Sequence, residues 1–165
     1  MSTGESSERL HQQLASTSGF LCDLCGEPIS APREAWGQWY TQPPSTPNGK
    51  VSHWGFSIVH GAAHSPICTI QRTPHQAMGD VSLDFLLSAD GLTYLLEFFV
   101  ERDVEQEELC RFLMRLFVPG YEQAHRYIGP ALAECLYEQR SHRAFLTQSQ
   151  MAAIAEGRRE GRFNV

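Results

Sequence analysis

The amino-acid sequence predicts an α+β protein, in which a metal-pinned β-hairpin module is followed by an antiparallel helical domain. Three observations carry this expectation. Cysteine and histidine fall in two clusters, Cys22–Cys25 and His60–Cys68. Between them the apolar residues alternate with the period of a strand, and beyond residue 80 they recur with the period of a helix. The chain's 165 residues suffice for one domain or two small ones. With 42% hydrophobic and 19% charged residues it can fill a core, which excludes wholly disordered, collagen-like and low-complexity architectures.

Taken in order, residues 1–19 are rich in Ser, Thr, Gln and Glu, with Leu10 and Leu14 the main apolar positions, and are expected to form a flexible N-terminal arm. Residues 20–72 form the β-hairpin module. In Lys50–His60, Trp54, Phe56 and Ile58 alternate with Gly55, Ser57 and Val59, and Glu34–Thr41 supplies the partner strand. The connection between them holds three prolines and Asn48-Gly49, the composition of a long exposed turn. Trp36 and Trp39, three apart on a strand, point to opposite faces, so one is free to be a contact residue. Residues 71–80 read as a linker.

The helical domain spans 80–146. Asp90 is placed to cap a helix whose Leu92, Leu95, Leu96 and Phe99 share one face. Phe98 and Val100 add a second apolar side, so this helix is expected to lie centrally. Asp103 and Gln106 read as a capping pair for a helix carrying Leu109, Phe112, Leu113, Leu116 and Phe117 at helical spacing. Pro119-Gly120 precedes a short helix through Tyr127, and Gly129-Pro130 opens another towards Arg143. Val81–Leu87 alternates but also reads as a short helix. Residues 147–165 form a basic C-terminal helix and tail with Met151 and Ile154 as its apolar anchors.

Charge narrows the partners. The chain carries a net −6, and residues 79–138 alone hold twelve acidic against four basic groups. Such a segment repels a phosphate backbone, so a general nucleic-acid binder is excluded, and only Arg158, Arg159 and Arg162 in the basic tail keep nucleic acid open as a partner. No apolar run approaches the roughly 18 residues of a membrane span, and the start lacks a cationic leader with an apolar core, so no membrane association and a cytoplasmic, intracellular location are expected. An odd count of five cysteines then argues against a disulfide framework.

The cysteine pattern carries the chemistry. Cys22-Asp-Leu-Cys25-Gly26 is a CxxCG knuckle, in which two thiolates can point at one ion while the glycine lets the backbone turn. The second cluster, His60-Gly-Ala-Ala-His64-Ser-Pro-Ile-Cys68, supplies nitrogen and a third sulfur. Ser65-Pro66 has the composition of a helix start and places His64 and Cys68 side by side. The predicted ligands of Zn²⁺ are Cys22, Cys25, His64 and Cys68, with His60 as the alternative and His53 a more distant one. A CxxC redox couple lacks its βαβ context here. The bland alternative makes these cysteines small apolar residues and the histidines turn residues; Cys110 and Cys135 are expected in helices as core.

A CxxCG knuckle, a β-hairpin and a later His/Cys pair at a helix start together resemble treble-clef zinc modules and the first zinc site of LIM-like domains, over residues 20–70 only. The His-to-Cys spacing departs from the LIM pattern by one residue. The resemblance implies a structural ion with no catalytic residue, since four nitrogen and sulfur ligands close the coordination sphere. No HExxH, zinc-deaminase, phosphate-loop or nucleophile-elbow motif is present. The expected function is therefore a non-enzymatic zinc-binding interaction or regulatory protein with a protein partner. Two alternatives stand beside it: a nucleic-acid-associated factor using the basic tail and the zinc module, and a metal-dependent nuclease or hydrolase of the HNH type that the treble clef also hosts.

Overall fold

The computed structural model describes residues 19–63, 65, 67–68, 77–101, 103–136 and 145–163. Residues 1–18 of the expected N-terminal arm therefore lie outside the described residues. Contacts divide the chain into two compact units, residues 1–117 and 118–165.

The first unit is built on a four-stranded sheet of order β3-β1-β2-β4. Strands β1 (Ala35–Gln42) and β2 (Ser52–His60) form the expected hairpin, antiparallel from Ala35 opposite His60 to Gln42 opposite Ser52. The connection turns through a Gly49 N–H to Thr46 carbonyl bond of 3.0 Å. Part of the expected linker is instead strand: β3 (Ala77–Ser82) pairs antiparallel with β1, from Trp36 opposite Ser82 to Thr41 opposite Ala77. The sequence of β3 hides this, because Gly79 and Asp80 are poor strand formers and only pairing with β1 holds them extended. Val81 and Ser82 end that strand, and helix α1 (Leu83–Leu86) follows with the Ser82 hydroxyl accepting from the Phe85 N–H.

Helices α2 (Ala89–Glu101) and α3 (Gln106–Phe117) bracket β4 (Asp103–Val104), which runs parallel to β2 at Ser52 and His53. Alternation along β1 sends Trp39 into the core, 2% exposed, against Phe56, Tyr94 and Phe98, while Trp36 on the opposite face is 37% exposed. Phe112 of α3 closes the same core against Phe56, with ring centroids 5.5 Å apart. Burying side chains of this size contributes roughly 1.5–3 kcal/mol each.

Three local expectations give way to tertiary alternatives. Helix α2 is capped by Ser88, whose hydroxyl accepts from the Gly91 N–H, because the helix begins one residue before Asp90. Asp103 does not cap α3. Its carboxylate accepts from the Ser52 hydroxyl at 3.0 Å, since Asp103 has joined the sheet. Nor is α2 central: Leu95 and Phe98 are buried, but Leu96 is 48% and Val100 73% exposed, so one face of the helix is open among the described residues. Among the described residues, no helix is long and apolar enough to cross a membrane.

The second unit contains α4 (Tyr121–Ala124), a 3₁₀ turn (His125–Tyr127), α5 (Ile128–Ala133) and α6 (Gln148–Arg159). Helix α5 stops well before Arg143, and Cys135 just beyond it takes a left-handed φ of 53° and is exposed rather than a helical core residue. Helix α6 opens with a reciprocal capping box between Thr147 and Gln150. Its two apolar anchors, Met151 and Ile154, are both buried, although their small number in the sequence suggests a weakly packed helix.

Candidate metal centre

Residues 21–28 fold back tightly. Leu21 bridges Pro28, the Cys22 N–H donates to the Glu27 carbonyl, and the Gly26 N–H donates to the Cys22 carbonyl, both at 2.9 Å. Gly26 adopts φ +77°, a conformation L side chains rarely take, so the knuckle needs glycine at this position. The knuckle then docks on the flank of β2 that β4 leaves free. The Asp23 N–H donates to the Ile58 carbonyl at 2.8 Å, and the Ile58 N–H donates to an Asp23 carboxylate oxygen at 2.7 Å.

This docking brings Cys22 and Cys25 to the end of β2, where His60 is the last residue. Cys68 arrives from a turn closed by its own N–H to the Ser65 carbonyl at 3.1 Å, in place of the expected helix start. The sulfurs of Cys22, Cys25 and Cys68 and a ring nitrogen of His60 all lie within 4.8 Å of one another. The Cys25 sulfur and His60 Nδ1 are 3.4 Å apart. A tetrahedral ion with bonds of about 2.0–2.3 Å sets its donors roughly 3.3–3.8 Å apart, so the cluster is of the size that can hold a metal ion.

The surroundings set the tautomer of His60 and shift the protonation of the cluster in both directions. His60 Nε2 lies 3.2 Å from the Pro28 carbonyl oxygen. That oxygen can only accept, so the tautomer consistent with this contact carries its proton on Nε2 and leaves the Nδ1 lone pair facing the sulfurs. Burial pushes the Cys22 thiol up, but the backbone N–H groups of Cys25, His60 and Leu24, with the Cys25 side chain, outweigh it and bring Cys22 down to about 7. At Cys25 the Glu27 N–H favours the thiolate, yet desolvation and the sulfurs of Cys22 and Cys68 prevail and push this thiol up. His60 is raised by its contact with Cys68, against desolvation, and by the Pro28 carbonyl and Cys22. Three sulfurs competing for protons at such range are relieved when a cation replaces the protons.

Of the residues singled out in the sequence, Cys22, Cys25, Cys68 and His60 are brought together, and His64 lies outside the described residues. His53 stands elsewhere: it is buried, with Nδ1 3.1 Å from the Thr41 hydroxyl and its ring 4.8 Å from that of Phe98. Cys110 is on α3 and Cys135 in the second unit, neither of them in the cluster. The signal for His60 was already in the strand pattern, because Phe56 and Ile58 extend by the same period to residue 60. The chain matches no protein-family model, no curated protein and no solved structure. Whatever the centre does must therefore be argued from its own chemistry.

Asp23 has a second partner that sequence spacing does not reveal. Arg115 on α3 donates to its carboxylate in bidentate fashion, at 2.7 and 3.0 Å, with the arginine side chain 6% exposed. Asp23, one of the two residues between the knuckle cysteines, thus ties the knuckle to both the sheet and a helix.

Proposed function

We propose that Cys22, Cys25, His60 and Cys68 bind one structural Zn²⁺ and that the protein is a non-enzymatic, zinc-stabilised interaction or regulatory protein. The observation that carries this reading is the convergence of three separate segments, the knuckle, the end of β2 and the turn at Cys68, on one set of donors. Three thiolates and one imidazole suit zinc, and four protein ligands leave no coordination position for water or substrate. The metal's role is then cohesion: apparent binding energies of about 10–16 kcal/mol for such sites become folding energy. The knuckle and hairpin support a treble-clef-like plan, with the remaining two ligands supplied by the end of β2 and a turn.

The basic C-terminal segment supports a nucleic-acid role less well. The Arg158 guanidinium lies 5.0 Å from the centre of the Tyr127 ring, and Arg162 pairs with Glu160 at 2.7 Å, so two of the three arginines already serve contacts within this unit.

Metal analysis of purified protein combined with thermal denaturation in chelator tests the reading. The expected result is one zinc per chain and a steep loss of thermal stability on chelation. Protein that is metal-free and keeps its melting temperature in chelator would refute it.

A further inference from the structure

Beside the metal centre lies a cleft of about 390 Å³, within the size range of ligand sites. Two residues of the metal centre, His60 and Cys68, line it together with the small residues 61–63. Its sheet side is made by one face of two paired strands: Trp36 and Gln38 of β1, and Met78 and Asp80 of β3, with Gln38 directly opposite Asp80. Trp36 lies outside the core of the first unit, is 37% exposed and lines this cleft. The charged lining is two carboxylates, Glu34 and Asp80, against one guanidinium, Arg33. Asp80 is exposed.

We infer that this cleft receives a basic side chain, arginine or lysine, presented by an extended peptide segment of a partner protein. The inference deepens the reading of the centre as a structural zinc site, because two of the ion's ligands, His60 and Cys68, line the cleft. Charge selects the occupant: a cation can lie over the Trp36 ring and meet Asp80 and Glu34, and a planar guanidinium suits an aromatic face best. The sheet selects a peptide. Among the described residues β3 is an edge strand, bonded to β1 on one side, and the strand that offers its open edge is the one whose Met78 and Asp80 line the cleft. A peptide added along β3 gains main-chain hydrogen bonds, and every second side chain then falls on the cleft face.

The test titrates the isotope-labelled full chain, supplied with zinc, with a blocked pentapeptide carrying a central arginine and with the same peptide carrying glutamate there. Metal content is measured on the same sample. The expected result is a shift of the Trp36 indole N–H signal and of the β3 amides by the arginine peptide alone. Asp80→Asn, at an exposed position, should weaken binding about five-fold, the size of one exposed charge contact. Zinc at one per chain with no response, or with equal responses to both peptides, overturns the cleft and leaves the metal reading standing. An arginine-selective response from metal-free protein supports the cleft and overturns the metal reading. Selective binding that Asp80→Asn and Trp36→Leu leave unchanged also overturns the cleft.

Discussion

The carboxylate of Asp23 and the guanidinium of Arg115, ninety-two positions apart in the chain, form a bidentate ion pair at 2.7 and 3.0 Å. Asp23 sits between the two knuckle cysteines and also accepts from the Ile58 N–H, so the pair fixes the metal-facing turn to the fold whether or not an ion is bound.

Asp23→Asn keeps the shape of the side chain but leaves a buried guanidinium facing a neutral amide. Removing one partner of a buried pair costs about 3–5 kcal/mol, and the partial exposure of Asp23 places the expected loss near the lower figure. The midpoint of urea unfolding reads it. Arg115→Lys should cost less but still be measurable, because an ammonium cannot reproduce the two parallel bonds. A wild-type midpoint for Asp23→Asn would show that the pair is energetically idle.

His60→Ala should abolish stoichiometric zinc binding, and His64→Ala should leave it at one per chain, as measured by metal analysis after exhaustive dialysis. The distinction follows from the 3.4 Å approach of His60 Nδ1 to the Cys25 sulfur and from the orienting Pro28 carbonyl. The opposite pattern would transfer the fourth position to His64.

Acidification should release the metal. The thiol of Cys25 and the imidazole of His60 are both raised, so in the metal-free protein both hold protons to higher pH than usual and must lose them to bind. Competition with a chromophoric chelator at several pH values should therefore show affinity rising with pH across the neutral range. In the metal-free protein Cys22 acts in the opposite sense. Its folded value is depressed to about 7, so the stability it contributes is complete above the unfolded value and is lost as pH falls through about 7. A pH-independent affinity would contradict the assignment of thiolates as ligands.

Gly91→Ala tests the helical layer independently of the metal. Alanine is the better helix former by about 1 kcal/mol. A Cβ here, however, would overlap the Phe85 carbonyl oxygen and the Leu86 backbone, which cannot swing aside as a side chain can. Overpacking of this kind costs roughly 1–3 kcal/mol, so the net change should be destabilising and visible as a lower urea midpoint. An unchanged or higher midpoint would show that α1 and α2 can separate freely.

Much of the first unit was legible in the chain itself. The β1–β2 hairpin follows from alternation around Trp36, Trp39, Trp54, Phe56 and Ile58, and α3 from the spacing of Leu109, Phe112 and Leu116, because backbone geometry imposes these periods directly on side-chain chemistry. The cysteines of the cluster were equally visible, since only a few residue types can ligate a soft cation. Other features were decided by contacts between distant segments. Strand β3 owes its extension to β1. Asp103 was drawn from a helix cap into the sheet by Ser52, and His60 was carried to the sulfurs by the knuckle's docking on Ile58. The partnership of Asp23 with Arg115 has no local signature either. A period or a motif records what neighbours along the chain require, whereas a partner tens of residues away is chosen only when the fold sets both groups in the same small volume.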